Sequence, residues 1–385
     1  MREKETKPSQ STSYNRQRNM QSIYNQAMRQ LVFLILTLFL CASCAPVTSP
    51  DLTPATPQLI FLGTRATGRF QLSAQADLFS QAAFLPIQFS SNCTIYNLYP
   101  NPVGALLAVE FECDGGPAVA FYNVVSGKSV NPGGMQQIAA RFLAWSANGR
   151  FLYLKADTIN NPTVIRIDNT GNHTTVLDLP ASLYDLTGLP DGRIVYSTTQ
   201  GIGFGSEVWL ADADGRGAKQ IISQPLDIVA YLRPSPDGKQ IAFIRFPDTQ
   251  TPFPDGELWI MDASGKNARP LADADAGHGY APAWSPDGKQ IAFVVRENPN
   301  DPQADQSAGA LISNVYRIEV PSGAKSAVTD FTDAIVESPI WSPDGTSLVF
   351  NVARNDTIQI WFDRAGVLQP LNGTASCCAV WTPGR

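Results

Sequence analysis

The chain has 385 residues, 44% hydrophobic and 16% charged, with 28 Lys+Arg against 34 Asp+Glu and two histidines. That length suffices for a large core. The acidic balance argues against nucleic acid as a partner, because a phosphate-binding surface needs an excess of cations.

Residues 1–30 are polar and carry Arg2, Lys4, Lys7, Arg16, Arg18 and Arg29 against Glu3 and Glu5. The run Leu31–Leu40 is apolar apart from Thr37. It falls short of the roughly 20 residues a membrane-spanning helix needs and suits the apolar region of a signal peptide. Met20 and Met28 are alternative starts, since Met28-Arg-Gln and the apolar run alone make a compact signal. Next comes Cys41-Ala-Ser-Cys44, which resembles a bacterial lipobox, with Cys41 where that motif prefers Leu. The resemblance implies acylation of Cys44 after cleavage, and several acyl chains anchor a protein stably where one does not. A metal reading of Cys-x-x-Cys is disfavoured because no second ligand pair lies nearby. Residues 1–43 thus read as the signal peptide and 44–58 as a spacer, with four prolines between Ala45 and Pro57. Loss of 1–43 removes six basic and two acidic side chains and leaves 22 Lys+Arg against 32 Asp+Glu, a formal charge of −10. The membrane is then reached through the lipid anchor only, and the mature protein is exported to the periplasmic or cell-surface side.

From Leu59 onward one box recurs. Trp284-Ser-Pro-Asp-Gly-Lys-Gln-Ile-Ala-Phe293 has close copies from Arg233 to Phe243 and from Trp341 to Phe350. Looser ones run from Trp145 to Tyr153 and Leu189 to Tyr196, and a degenerate one from Tyr99 to Ala108. The turn glycines Gly104, Gly149, Gly192, Gly238, Gly288 and Gly345 stand 43 to 57 residues apart, a period of propellers and solenoids. Pro presets φ for the second position of a type I turn, Asp suits the third, and Gly takes the positive φ that closes the hairpin. The run after each corner, such as Ile291-Ala-Phe-Val-Val295, is apolar at every position, as in a strand covered on both faces. A second motif follows, an alternating strand ending in a glycine turn, as in Glu257-Leu-Trp-Ile-Met-Asp-Ala-Ser-Gly265. Four strands per repeat make a propeller blade.

These boxes, over residues 59–385, resemble the TolB-type propeller repeat, also seen in the propellers that precede hydrolase domains. The resemblance implies an all-β β-propeller and leaves its function open, since one fold hosts unrelated activities. Leu59-Ile-Phe-Leu62 looks like a second strand without a first, and Ala379-Val-Trp-Thr a first strand without a second. Pairing them closes a ring of seven blades, with six the alternative if the box at Tyr99 fails.

Cys93 and Cys113 fall nearly opposite each other around the corner at 101–104, close enough for a disulfide in an exported protein. Cys377 and Cys378 are adjacent, and the sequence leaves open whether they bond each other or stay reduced. His173 and His278 fall on opposite faces of a propeller and are expected to be ordinary loop residues. No Gly-x-Ser-x-Gly elbow occurs, Gly201-Ile-Gly-Phe-Gly205 joins two strands instead of opening a helix, and Gly127-Lys-Ser129 lacks the upstream glycine of a phosphate loop. Asp212-Ala-Asp-Gly215 and Asp273-Ala-Asp275 fall short of a calcium loop. Neither cofactor nor metal is expected.

What remains is asymmetry between faces. The connections after second strands are long at 245–254 and 296–307, on the face shared with the blade-to-blade loops. Recognition is usually carried on such loops, which nominates Arg245, Phe246, Phe253, His278, Tyr280 and Arg296 as ligand-binding residues. The expected function is a scaffold binding an envelope protein, peptide or polysaccharide. The alternative is a propeller enzyme acting on a glycan or peptide through carboxylates on that face.

Overall fold

The computed structural model describes residues 56–64, 70–85, 93–113, 116–130, 140–156, 162–171, 174–276, 280–371 and 376–383, all within the compact unit Leu52–Arg385. The signal peptide, Cys44, most of the spacer, His173 and His278 lie outside the described residues. No helix among the described residues is long and apolar enough to cross a membrane.

Blade 1 holds β1 (Leu59–Thr64), β2 (Phe70–Gln75) and β3 (Ala83–Phe84), and blade 2 holds β4 (Thr94–Pro100), β5 (Leu106–Cys113), β6 (Gly116–Asn123) and β7 (Lys128–Val130). Blade 3 holds β8 (Ala140–Trp145), β9 (Phe151–Ala156), β10 (Thr163–Asp168) and β11 (Thr174–Val176). Blade 4 follows with β12 (Leu183–Gly188), β13 (Ile194–Thr198), β14 (Ser206–Ala211) and β15 (Lys219–Gln224). Blade 5 has β16 (Asp227–Pro234), β17 (Gln240–Pro247), β18 (Asp255–Asp262) and β19 (Arg269–Asp275). Blade 6 has β20 (Ala283–Trp284), β21 (Gln290–Arg296), β22 (Ser313–Glu319) and β23 (Lys325–Ala327). Blade 7 has β24 (Ile335–Trp341), β25 (Ser347–Arg354), β26 (Thr357–Arg364) and β27 (Val367–Pro370), after which β28 (Ser376–Trp381) returns to blade 1. The result is seven antiparallel sheets of four strands, the first ordered β28-β1-β2-β3.

The closure expected from the sequence is present: β28 pairs with β1, Thr382 N donates to Gln58 O at 2.9 Å, and Gln58 N donates to Thr382 Oγ1 at 3.0 Å. Ring closure covers the edge of β1 that would otherwise be bare, since β28 supplies the fourth strand of blade 1. The closing strand starts earlier than the sequence suggested, at Ser376, so both terminal cysteines belong to it.

Second strands are buried on both faces because successive side chains serve different neighbours. In β17, Ile241 and Phe243 pack with Val195 and Val208 of blade 4, whereas Ala242 and Ile244 pack with Ile291 and Phe293 of blade 6. That alternation is why the run after each box has no polar position.

The box is a self-bonded corner. At 285–290, Ser285 Oγ donates to Asp287 Oδ1 at 2.7 Å, Lys289 N donates to the same oxygen at 3.1 Å, and Gln290 N donates to Ser285 Oγ at 2.9 Å. Gly288 takes φ +70°, which a side chain would resist. The box tryptophans have a second task. Trp145 Nε1 donates to Tyr99 O at 3.0 Å, Trp284 Nε1 to Arg233 O at 2.9 Å, and Trp341 Nε1 to Ala283 O at 3.1 Å, each time reaching the preceding blade. A half-buried indole thus finds the partner it needs by stapling one blade to the next. The degenerate box achieves the same differently: Asn101 Nδ2 donates to Gly149 O at 2.7 Å, tying blade 2 to the corner of blade 3.

Cys93 and Cys113 form a disulfide with Cα atoms 4.2 Å apart. Closing a loop of 20 residues in sequence contributes about 3 kcal/mol on the chain-entropy account.

Candidate functional site

The first strand of each blade lines the centre of the ring, and most of these strands are kinked at one level. The ladder to the second strand slips at Ile95/Asn97, Phe142/Ala144, Leu183/Asp185, Ala230/Arg233 and Glu337/Ile340, and opposite Ile60/Leu62 in the closing strand. Such bulges re-aim a side chain and free a backbone group. The residues at the slips include Tyr96, Tyr184, Tyr231, Ser338 and Cys378, the last three at φ +59°, +51° and +62°. Freed N–H groups are taken by polar side chains of the preceding blade. Glu110 Oε1 accepts from Phe142 N at 3.2 Å, Asp185 Oδ2 from Leu232 N at 2.7 Å, and Asn351 Oδ1 from Cys378 N at 3.2 Å.

The mouth so formed is aromatic and acidic. Burial pushes the Asp185 carboxyl up, opposed by the Arg233 charge and by the N–H donors of Leu232 and Leu186. Burial likewise raises the Tyr231 phenol, with Tyr184 and Asp185 adding to the shift, and the Tyr280 phenol, where Glu337 adds its charge and a hydrogen bond. These groups hold phenols as neutral donors beside carboxylates at the channel entrance.

Around this mouth stand the longest connections between second and third strands: 199–205 in blade 4, 248–254 in blade 5 and 297–312 in blade 6. They are braced to one another. Asp248 Oδ2 accepts from Gly203 N at 2.8 Å and Gly205 N at 2.7 Å, so the glycine-rich stretch, a strand-to-strand loop as expected, is pinned from the next blade. Gly205 is obligatory, since at φ +65° a Cβ would lie 2.0 Å from Gln224 O. On the other side Arg296 holds the loops of blades 5 and 6 together. Its guanidinium, 1% exposed, donates to Phe253 O at 3.1 Å, Asp301 O at 3.3 Å, Asn298 O at 3.3 Å and Asp305 Oδ1 at 2.9 Å, with Asp255 3.4 Å away.

Two concavities open here. One of about 410 Å³ lies between blades 5 and 6, walled by Asp227, Arg245, Asp255, Glu257, Asp273 and Arg296. The other, about 400 Å³, runs toward the channel past Tyr184, Ile202, Ile228, Tyr231, Phe246 and Pro252. Ile202, 60% exposed, lines it, and two further exposed apolar side chains are Phe204 of the 199–205 loop, at 66%, and Leu226 of the turn before β16, at 78%, whose carbonyl accepts from Asp248 N at 3.0 Å.

The sequence-nominated residues divide accordingly. Arg245, Phe246 and Arg296 converge on the first cavity. Arg245 is committed, with Nε donating to Asp227 Oδ2 at 2.8 Å and its guanidinium 4.6 Å from the Trp259 ring centre. Phe246 walls both cavities. Phe253 contributes its backbone to the brace, its N–H donating to Asp305 O at 3.2 Å. Tyr280 sits at the channel mouth, and Arg296 is a buried tie. The sequence reading also set 245–247 and Asp273–Asp275 in loops. They are ladder residues of β17 and β19, because strands of blade 5 run to eight and seven residues. The blade 4 loop, with Ile202 and Phe204, was passed over because its glycines were weighed only against a nucleotide motif.

Residues 181–367 match the family model for the TolB beta propeller domain. No curated protein matches the chain in sequence. Among solved structures, TolB from Acinetobacter baumannii is similar at 14% identity and TM-score 0.52, covering 86% of this chain and 67% of that one. An oligogalacturonate lyase in complex with manganese is similar at 13% identity and TM-score 0.59, covering 82% and 86%. One from Vibrio parahaemolyticus is similar at 10% identity and TM-score 0.58, covering 82% and 89%. At these identities the structural likeness speaks for the fold alone. Among the described residues no three His, Cys, Asp or Glu side chains are grouped as metal ligands.

Proposed function

Because the protein is a TolB-type β-propeller closed into seven blades, we propose that it is an exported binding scaffold of the bacterial envelope. In this reading it is anchored by acylated Cys44 and engages a protein, peptide or envelope polymer through the long-loop face. The observation that carries the reading is the cross-bracing of three adjacent loops around an aromatic mouth. Asp248 and Arg296 fix loops that would otherwise be mobile, and a pre-formed surface loses less ordering entropy on binding. The exposed Ile202, Phe204 and Leu226 supply apolar contact area beside it. Oxidation of Cys93 and Cys113 suits an extracytoplasmic compartment.

The test is crosslinking and capture from solubilised envelope, comparing wild type with a Phe204→Asp, Leu226→Asp double variant. The expected result is a discrete partner lost at least about tenfold in the variant, about 1.4 kcal/mol. Equal capture by both removes the face. Turnover of a glycan or peptide abolished by one Asp or Glu substitution would replace the scaffold with the enzyme. Labelled fatty acid incorporated by wild type and absent in Cys44→Ser tests the anchor, and label retained in that variant refutes it.

A further inference from the structure

We propose that Cys377 and Cys378, which are disulfide-bonded to each other, form a thiol–disulfide exchange site at the channel mouth that reacts with dithiols while the ring stays folded.

The two disulfides among the described residues differ in what they can do for the fold. Cys93–Cys113 cross-links residues 20 apart, and so restricts the unfolded chain. Cys377–Cys378 joins neighbours and closes essentially no loop, so the same argument assigns it next to no stabilisation. Nor does it set the backbone. Cys378 has φ +62°, but Tyr231 and Ser338, at the corresponding slips of blades 5 and 7, have φ +59° and +51° without any cross-link. The bulge imposes that conformation, and the bridge is carried by it. Ring closure is independent of the bridge too, resting on the β28–β1 ladder and the Thr382–Gln58 hydrogen bonds.

The site is also arranged for the reduced state. Cys378 Sγ lies 3.4 Å from Tyr96 O, in blade 2. A disulfide sulfur has no proton to give that carbonyl, whereas a thiol there donates to it. Cys378 is the accessible half of the pair, and Cys377 is 8% exposed among Ile60, Leu62 and Leu98. An incoming dithiol therefore attacks as its thiolate at Cys378 Sγ. The Cys377–Cys378 S–S bond breaks, Cys377 leaves with the electron pair and takes a proton, and a mixed disulfide remains on Cys378. The second thiol of the reductant attacks its own bridged sulfur and expels Cys378, which takes a proton. The dithiol is oxidised to its disulfide and the protein pair is reduced by two electrons. The Cys378 thiol is then left beside Tyr96 O, and the Cys377 thiol among Ile60, Leu62 and Leu98.

The experiment is differential alkylation with mass spectrometry on the mature protein, purified without reductant and titrated with dithiothreitol. The expected outcome is two alkylated cysteines at positions 377 and 378 at a dithiol concentration at least about tenfold below that needed for Cys93 and Cys113, with an unchanged thermal transition and reformation of the bond on adding oxidised glutathione. A Cys93→Ser, Cys113→Ser variant should keep the same two-thiol response, and Cys377→Ser should lose it. The proposal is overturned if the pair alkylates in protein never exposed to reductant, or if it becomes reducible only where the fold melts.

Discussion

Replacing Arg296 should cost more than its place on a loop-bearing face suggests. Its guanidinium is 1% exposed and satisfied by three carbonyls and Asp305, while Asp305 and Asp255 are 40% and 47% exposed. In Arg296→Ala the carboxylates can rehydrate, which spares part of the 3–5 kcal/mol typical of breaking a buried ion pair. The carbonyls of Phe253, Asn298 and Asp301 are left to find water, at about 1 kcal/mol or more each. The expected loss is about 3 kcal/mol, read by chemical denaturation, with accelerated amide exchange across 297–312. Arg296→Lys should recover less than half, because an ammonium reaches fewer of these acceptors than the planar fork. If Arg296→Ala unfolds within about 0.5 kcal/mol of wild type and exchange at 297–312 is unchanged, the brace is not what holds these loops.

Trp341→Phe removes the indole donor to Ala283 O and should destabilise by about 1 kcal/mol. Trp381→Phe should fall within about 0.5 kcal/mol of wild type in the same denaturation assay, because Trp381 Nε1 is buried with no partner among the described residues. Gly188→Ala would set a Cβ 2.9 Å from Ser146 Cα in the neighbouring blade, where backbone cannot yield, and should lower stability by about 2 kcal/mol in thermal unfolding. Asp237 is held down to about 2 by the Ser235 hydroxyl and the Lys239 N–H. A depressed carboxyl stabilises above its unfolded value, near 3.9, and loses that contribution as pH falls toward 2. Stability measured from pH 5 to pH 2 should therefore fall less steeply in Asp237→Asn than in wild type, and parallel curves would refute the corner's role.

The ring was readable because each box states its own geometry. Ser-Pro-Asp-Gly encodes a corner in four adjacent residues, and the both-faces burial of a second strand leaves an unbroken apolar run such as Ile241–Ile244. Closure followed from two half-repeats, Leu59–Leu62 and Ala379–Thr382, whose missing halves matched. The site was less readable because its decisive features are not local. Nothing in Leu183-Tyr-Asp185 announces a slip in the ladder, which depends on how β12 meets β13. Arg296 reads in the sequence as a ligand-binding residue of the long connection 296–307, and becomes a buried tie only when 297–312 folds back over it. The hydrogen bond from the box tryptophan to the blade before it is a property of ring assembly and is not written in the box itself.

The pairing of β28 with β1 also has a consequence for biogenesis. Blade 1 takes its innermost strand from residues 376–381, so it stays a three-stranded fragment until that segment has been made. Until that moment the inner edge of β1 is open to any other extended polypeptide nearby. A chain caught before that step therefore presents an open strand edge for as long as its last strand is missing, and a factor that binds extended backbone has a defined target in it.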